Sequence, residues 1–254
     1  RKTPVVVASK YGRGEVYPDG YSKEDLVAAV TASARRVGVD CIDLIQLHCV
    51  PTEVLRDGEI FQWLREIRDD GLIRHFGASV ESVEEGLICL EVEDLLSLQV
   101  IFNPFRQKLV DELLPQAKAA GVGIIVRVPL ASGLLAGKFS AETEFPAADH
   151  RNYNRDGQCF NAGETFAGLP FREGVELVEE LKAHLPAGLT MAQMTQRWIL
   201  DHEAVSVIIP GASSPEQARE NAAVSELAPL SPELHGVLAD FYEARVKHLI
   251  RGAY

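Results

Sequence analysis

The stretch Val205 to Asn221, VSVIIPGASSPEQAREN, combines the residue types of an anion site. A run rich in β-branched residues stops at Pro210-Gly211. Ser214-Pro215 then opens the helical segment EQARENAAV. Serine at an N-cap and proline at the first helical position are helix-start signals. Exposed backbone N–H groups and the positive end of the helix dipole meet there and favour a negative group. An ordinary strand-to-helix turn has the same outline, so Pro-Gly-Ala alone decides nothing. Further polar residues stand where other apolar runs end: Lys10, His48, Ser79 and Arg127, with Gln99 inside a fourth run and Gly211 after a sixth. A lysine after a strand is ordinarily a solvated loop residue. A histidine at a strand end is ordinarily a satisfied core residue. Their recurrence at one end of successive strands is what points to a site.

Each of these runs belongs to an alternation of strands and helices. Pro4 to Ser9 reads as a buried strand, followed by a loop over Arg13 to Gly20. Ser22 to Asp25 has the pattern of a capping box for a helix through Val37, with Leu26, Val30 and Ala34 on one face. Further strands are expected at Asp43–His48, Ile73–Ser79, Ser97–Phe102, Gly123–Val128 and from Val205. The apolar, β-branched character of the last predicts burial on both faces. Helices are expected at 60–70, 83–90, 110–120, 172–184 and 190–200, with an amphipathic helix over 232–249. Residues 131–169 read as a long loop, a length that usually signals function. The alternation means a parallel sheet covered by helices. It leaves open the choice between a doubly wound sheet and a (β/α)8 barrel. No G-x-G-x-x-G follows the first strand, so a Rossmann unit is not signalled.

The chain has 254 residues, enough for one large α/β domain, and the expectation is a single domain over 1–254. Its net charge of −12 argues against nucleic acid or an anionic membrane as the main partner. No apolar stretch approaches the roughly 20 residues that span a bilayer. Cys41, Cys49, Cys89 and Cys159 are scattered without C-x-x-C spacing, which predicts reduced thiols in a cytoplasmic protein.

Several stretches together resemble the aldo-keto reductases. IIPGASSPEQAREN is similar to that family's I-P-G-x-x and Q-x-x-E-N segment, which holds the adenosine 2′-phosphate and adenine of NADP. The resemblance carries this role to Gly211, Ser213, Gln217, Glu220 and Asn221. VVVASKYG resembles the strand that delivers a catalytic lysine, here Lys10. ARRVGVDCIDLIQLHCVP resembles the stretch that delivers a catalytic histidine, here His48. HFGAS resembles F-G-x-S-N, whose Ser and Asn hold the nicotinamide carboxamide; Ser79 matches, and Val80 replaces the asparagine. LQVIFN resembles Q-x-x-Y-N, whose glutamine binds the same carboxamide, here Gln99. VRVPLASGLLAGKF resembles the stretch that wraps the pyrophosphate, with Pro129, Leu130, Ser132 and Lys138 matching. Arg127 stands where many members place an aromatic ring on the nicotinamide. The alternative for Arg127 is an ion pair with an acidic loop residue.

The resemblance implies a (β/α)8 TIM barrel, of which six βα units are present, and hydride transfer between NADP(H) and a carbonyl or alcohol, with a tyrosine as proton donor. A tyrosine with a reference pKa near 10 needs help near neutral pH, and a lysine ammonium nearby favours the phenolate. His48 would orient and polarise the carbonyl. In the family an aspartate and that tyrosine come from the unit ahead of the lysine strand. The expectation is therefore of roughly 60 residues ahead of Arg1 carrying them, and of a chain inactive without them. Ser213, a hydroxyl where relatives often carry a cation, implies only a moderate preference for NADPH over NADH. Two other functions fit parts of the pattern. One is a redox-sensing regulatory subunit of the same fold. The other is an unrelated phosphate-binding lyase with Lys10 as a Schiff-base lysine.

Overall fold

The computed structural model describes residues 5–254. The expected first strand began at Pro4, which lies outside the described residues. The chain falls into two compact units, one of residues 1–99 with 116–123, the other of residues 100–115 with 124–254.

In the first unit the strands are β1 (Ala8–Tyr11), β2 (Ile42–His48), β3 (Ile73–Ser79) and the opening of β4 (Ser97–Ile101). They pair in parallel in chain order. Between them lie α1 (Lys23–Val37), α2 (Thr52–Asp57), α3 (Glu59–Asp69) and α4 (Val83–Leu90), and α5 (Leu113–Ala120) follows β4. Ser22 caps α1, its hydroxyl accepting from Asp25 N at 3.1 Å. The return half of the expected capping box is replaced by Ser22 Oγ donating to the Asp25 carboxylate at 2.7 Å. Ser82 and Glu85 form a complete capping box on α4.

Strand alternation separates two chemistries. Ser9, Tyr11, Ile45, Leu47, Phe76, Ala78 and Leu98 share the face toward the helices. Ser9 Oγ meets Ser33 Oγ of α1 at 3.3 Å, and Arg68 of α3 lies over the Phe76 ring at 5.6 Å. The buried stripes of α1 (Leu26, Val30, Ala34) and α3 (Ile60, Phe61, Leu64, Ile67) close this layer. The opposite face carries Lys10, Gln46, His48, Gly77, Ser79, Ser97 and Gln99. The expectation of a buried strand from Pro4 to Ser9 needs correction. Val5 and Val6 precede β1 and are exposed, because among the described residues β1 has a strand neighbour only in β2.

In the second unit β5 (Gly123–Arg127) pairs in parallel with β6 (Val205–Ile208). The unit also holds α6 (His150–Tyr153), α7 (Phe171–Leu181), α8 (Met191–Leu200), α9 (Pro215–Ala223) and α10 (Pro232–Phe241), the last continued by a π turn over Tyr242–Val246. Its core is aromatic: Phe102, Trp198 and His202 meet with centroids 4.5–4.9 Å apart. The long 131–169 region is ordered by 3-10 turns and by α6, and Phe139, Phe145 and Phe166 pack with Phe171 of α7. A second correction concerns β6. It is not buried on both faces; Ser206 and Val207 are exposed, as is Ile209 beyond it. A β-branched run specifies a strand, but whether both faces are covered depends on neighbours far away in sequence. No helix among the described residues is long and apolar enough to cross a membrane.

Candidate active site

The first unit brings four of the expected residues to one end of one sheet face. His48 of β2, Ser79 of β3 and Gln99 of β4 stand in a single register row. Lys10 of β1 stands one layer below, in the row of Gln46, Gly77 and Ser97. The chain extends the ladder past the strand ends: Cys49 N donates to Ser79 O at 2.9 Å and Val80 N to Gln99 O at 3.0 Å. Cys49, buried and with φ 52°, puts its sulfur 3.7 Å from Ser79 Oγ. Lys10 is exposed, His48 is half-buried, and Gln46, Ser79, Ser97 and Gln99 are buried. Arg13 forms an ion pair with Glu81 beside this end of the sheet.

Two buried amides meet here. Gln99 Nε2 donates to Gln46 Oε1 at 3.1 Å. Gln99 Oε1 and Gln46 Nε2 then have no hydrogen-bond partner among the described residues. Exchanging the ends of both amides reverses the bond and still leaves one donor and one acceptor open. A buried open amide group costs about 1–3 kcal/mol, so such a pair is expected to be completed by a ligand or by ordered water. A carboxamide, itself one acceptor and two N–H donors, is its chemical complement. The sequence reading missed Gln46; its signal was a glutamine two residues before His48 on a strand whose neighbours are apolar.

Tyr11 follows Lys10 but points the other way. Its hydroxyl donates to Ser22 O at 3.4 Å at the start of α1, and burial raises its pKa. It therefore stands on the helix side of β1, away from the Lys10 face. Tyr17 is exposed on the loop that follows.

In the second unit β5 ends in Arg127, which forms an ion pair with Glu164. This is the alternative foreseen for Arg127; Glu164 itself was not singled out by the sequence. Beyond it Val128, Ala131 and Ser132 have φ of 52°, 48° and 56°. Left-handed backbone at non-glycine residues costs on the order of 1–2 kcal/mol each, and its clustering in one loop marks a shaped backbone concavity. Three hydrogen bonds pin the loop, one from Asn103 and two from the 164–166 turn. Asn103 Nδ2 donates to Val128 O at 3.0 Å, Ser132 Oγ donates to Glu164 O at 3.3 Å, and Phe166 N donates to Ser132 Oγ at 3.3 Å. Pro129 is buried, Leu130 half-buried and Lys138 exposed. Asn103, fully buried, was within reach of the sequence as the last residue of LQVIFN.

The Gly211–Asn221 segment of the same unit closes on itself. Gln217 Oε1 accepts from Ser213 N at 2.7 Å and from Ser213 Oγ at 2.9 Å. Asn221 Nδ2 donates to Gly211 O at 3.2 Å, and Asn221 Oδ1 accepts from Gln196 Nε2 at 3.1 Å. Ser214 caps α9 through Gln217 N at 3.2 Å, with Pro215 next, as expected. Gly211, Ser213, Gln217 and Glu220 are exposed.

The aldo/keto reductase family model matches residues 1–243, and the chain belongs to that family. An aldo-keto reductase of Bacillus subtilis is 29% identical over 194 residues, covering 76% of this chain and 56% of that protein. A probable voltage-gated potassium channel subunit beta of Arabidopsis thaliana is 26% identical and covers 91% of this chain and 71% of the relative. Among solved structures, the glycerol dehydrogenase of Gluconobacter oxydans superposes with a TM-score of 0.70 at 25% identity, covering 98% of this chain and 75% of that one. The chain thus spans little more than half the length of its Bacillus relative. Its fold class is α/β, the (β/α)8 barrel type, with six strands and their helices among the described residues.

Proposed function

We propose that this protein is an oxidoreductase that moves a hydride between NADP(H) and a carbonyl or alcohol substrate, an aldehyde, ketone or sugar. The observation that carries the reading is the row His48–Ser79–Gln99, with one amide donor and one acceptor left open beside it. Gln99, Gln46 and Ser79 would hold the nicotinamide carboxamide. Bound NADP(H) supplies or accepts the hydride. His48, at the mouth of the row, would orient the carbonyl oxygen and donate to it as charge develops. An ammonium at Lys10 would favour the ionised form of a neighbouring phenol and so ease proton transfer. Tyr11 does not suit that donor role, since its hydroxyl is engaged on the helix side. Pro129, Leu130, Ser132 and Lys138 would follow the pyrophosphate, and Gly211, Ser213, Gln217, Glu220 and Asn221 the adenosine phosphate. Arg127, held by Glu164, would line the nicotinamide end.

Ser213 brings no charge, and its N–H and hydroxyl would have to leave Gln217 Oε1 to meet a phosphate, which favours NADPH over NADH only moderately. Calorimetric titration with both cofactors tests this. Equal affinities would remove the preference, and no binding of either would remove the whole reading. A panel of aldehydes, ketones and sugars followed at the NADPH absorbance then reports the substrate class. The coverage of the plant channel-subunit relative favours a second reading, a redox-sensing subunit. Tight NADPH binding with no turnover across the panel would select it. The reading of an unrelated lyase falls with the family assignment.

A further inference from the structure

Arg106 is enclosed almost completely, and its guanidinium donates to two backbone carbonyls. Nη1 donates to Ala167 O at 3.3 Å and Nη2 to Ala253 O at 2.8 Å. The Tyr254 ring covers the guanidinium at 4.8 Å. Gly163 lies directly against it; a Cβ there would fall 2.4 Å from Nη1. Burial holds the Arg106 pKa down to about 10, with the charge of Arg127 adding to the effect. Arg106 is thus pressed between two pieces of chain, the 161–168 turn and the 251–254 segment.

Those two pieces are tied to each other as well. Asn161 Nδ2 donates to Ala253 O at 3.3 Å. Arg251 donates from N and Nε to Gly168 O at 3.1 and 3.0 Å, and from Nη1 to Asp156 Oδ1 at 2.6 Å. The turn so held carries Glu164. Its carboxylate holds Arg127, and its carbonyl accepts from Ser132 Oγ. Hydrogen bonds therefore run without a break from Ala253 through Arg106 and the 161–168 turn to Arg127 and Ser132. The planar fork of the guanidinium aims its donors at both pieces at once, so one side chain fixes their relative placement.

We propose that Arg106 is a positioning residue. With the 251–254 segment as a strap, it clamps the 161–168 turn, and through Glu164 it sets Arg127 and Ser132 for the nicotinamide nucleotide. This rests on the cofactor assignment made above.

Two variants separate clamp from packing. Arg106→Lys keeps the charge, but one ammonium cannot reach both carbonyls in the same fork. Gly252→Ala leaves Arg106 intact and disturbs the strap, because the residue has φ 82° and its Cβ would lie 2.6 Å from Asn161 Oδ1. NADPH affinity is measured by fluorescence titration, and amide exchange is followed over 161–168, with Ile42–His48 of β2 as the reference for global unfolding. Both variants are expected to weaken NADPH binding about fivefold, to speed exchange over 161–168 and to leave the β2 amides protected. Faster exchange with unchanged affinity overturns the positioning role, and unchanged exchange overturns the clamp. If Arg106→Lys unfolds, Gly252→Ala decides by the same two readouts. A wild-type protein that fails to bind NADPH overturns the cofactor assignment instead, and exchange over 161–168 then decides the clamp by itself.

Discussion

Gly77→Ala should be among the most costly single-methyl changes in the first unit. Gly77 sits opposite Ser97 in the β3–β4 ladder. A Cβ there would lie 2.5 Å from the Ser97 carbonyl oxygen and 2.5 Å from Ser97 Oγ. The hydroxyl can rotate away, but the carbonyl cannot, because the neighbouring bonds Leu96 N to Phe76 O (2.9 Å) and Val80 N to Gln99 O (3.0 Å) fix both strands. Overpacking of this kind costs about 1–3 kcal/mol. Stretching the two flanking bonds adds about 1 kcal/mol. The lower entropy of alanine in the unfolded chain offsets about 0.4–1 kcal/mol. The net loss is about 1–3.5 kcal/mol, a fall in Tm of roughly 2–14 °C for a chain of this size. The strand shift also displaces Ser79 and Gln99, so NADPH binding should weaken by about one hydrogen bond's worth, roughly 2- to 10-fold. Circular dichroism melts and NADPH fluorescence titration are the assays. Ser97→Ala is the control. Alone it removes a buried hydroxyl without a partner among the described residues and should be neutral or stabilising. Combined with Gly77→Ala it should rescue only in part, since the carbonyl remains. A Gly77→Ala protein melting within about 1 °C of wild type, or full rescue by Ser97→Ala, would refute the steric argument.

Other changes should read out equally directly. Gln99→Leu removes the open amide acceptor and should weaken NADPH binding about tenfold or more, as expected for a buried polar partner; unchanged affinity would detach Gln99 from the cofactor. Arg127→Leu leaves Glu164, whose side chain is only 16% exposed, without that partner and should cost about 2–4 kcal/mol. Adding Glu164→Leu should recover most of it, as denaturant melts would show. Burial lowers the pKa of His202, against a hydrogen bond to Trp198 O; the charge of nearby His235 lowers it further, while Asp201 acts the other way. The unfolded chain therefore takes up this proton first, near pH 6.5. Stability is full above that pH and declines as pH falls toward the folded pKa. Tm should drop between pH 7 and 5, and His202→Phe should flatten that slope; an unaltered slope contradicts the assignment. Asp149, held down to about 2 by its bonds to Arg151, should contribute above pH 4 and lose that contribution as pH falls through about 2. Acid titration of Asp149→Asn beside wild type checks this.

Much of this protein was legible in its sequence. The strand positions of Lys10, His48, Ser79 and Gln99, the caps at Ser22 and Ser214, and the helices over 83–90 and 191–200 follow from local patterns of apolar residues, caps and breakers. Local chemistry decides such features, so one stretch of chain suffices to specify them. Tertiary structure decided the rest. Only the ladder register shows that His48, Ser79 and Gln99 form one row, and that Lys10 lies below it beside Gln46. Only tertiary structure shows that β6 carries exposed residues on both faces and that Tyr11 faces α1 rather than the Lys10 face. Glu164 reaches Arg127 across 37 positions, and Ala253 reaches Arg106 across 147. No periodicity encodes contacts of that span, because they are set by which elements pack together and not by the residues beside them in the chain.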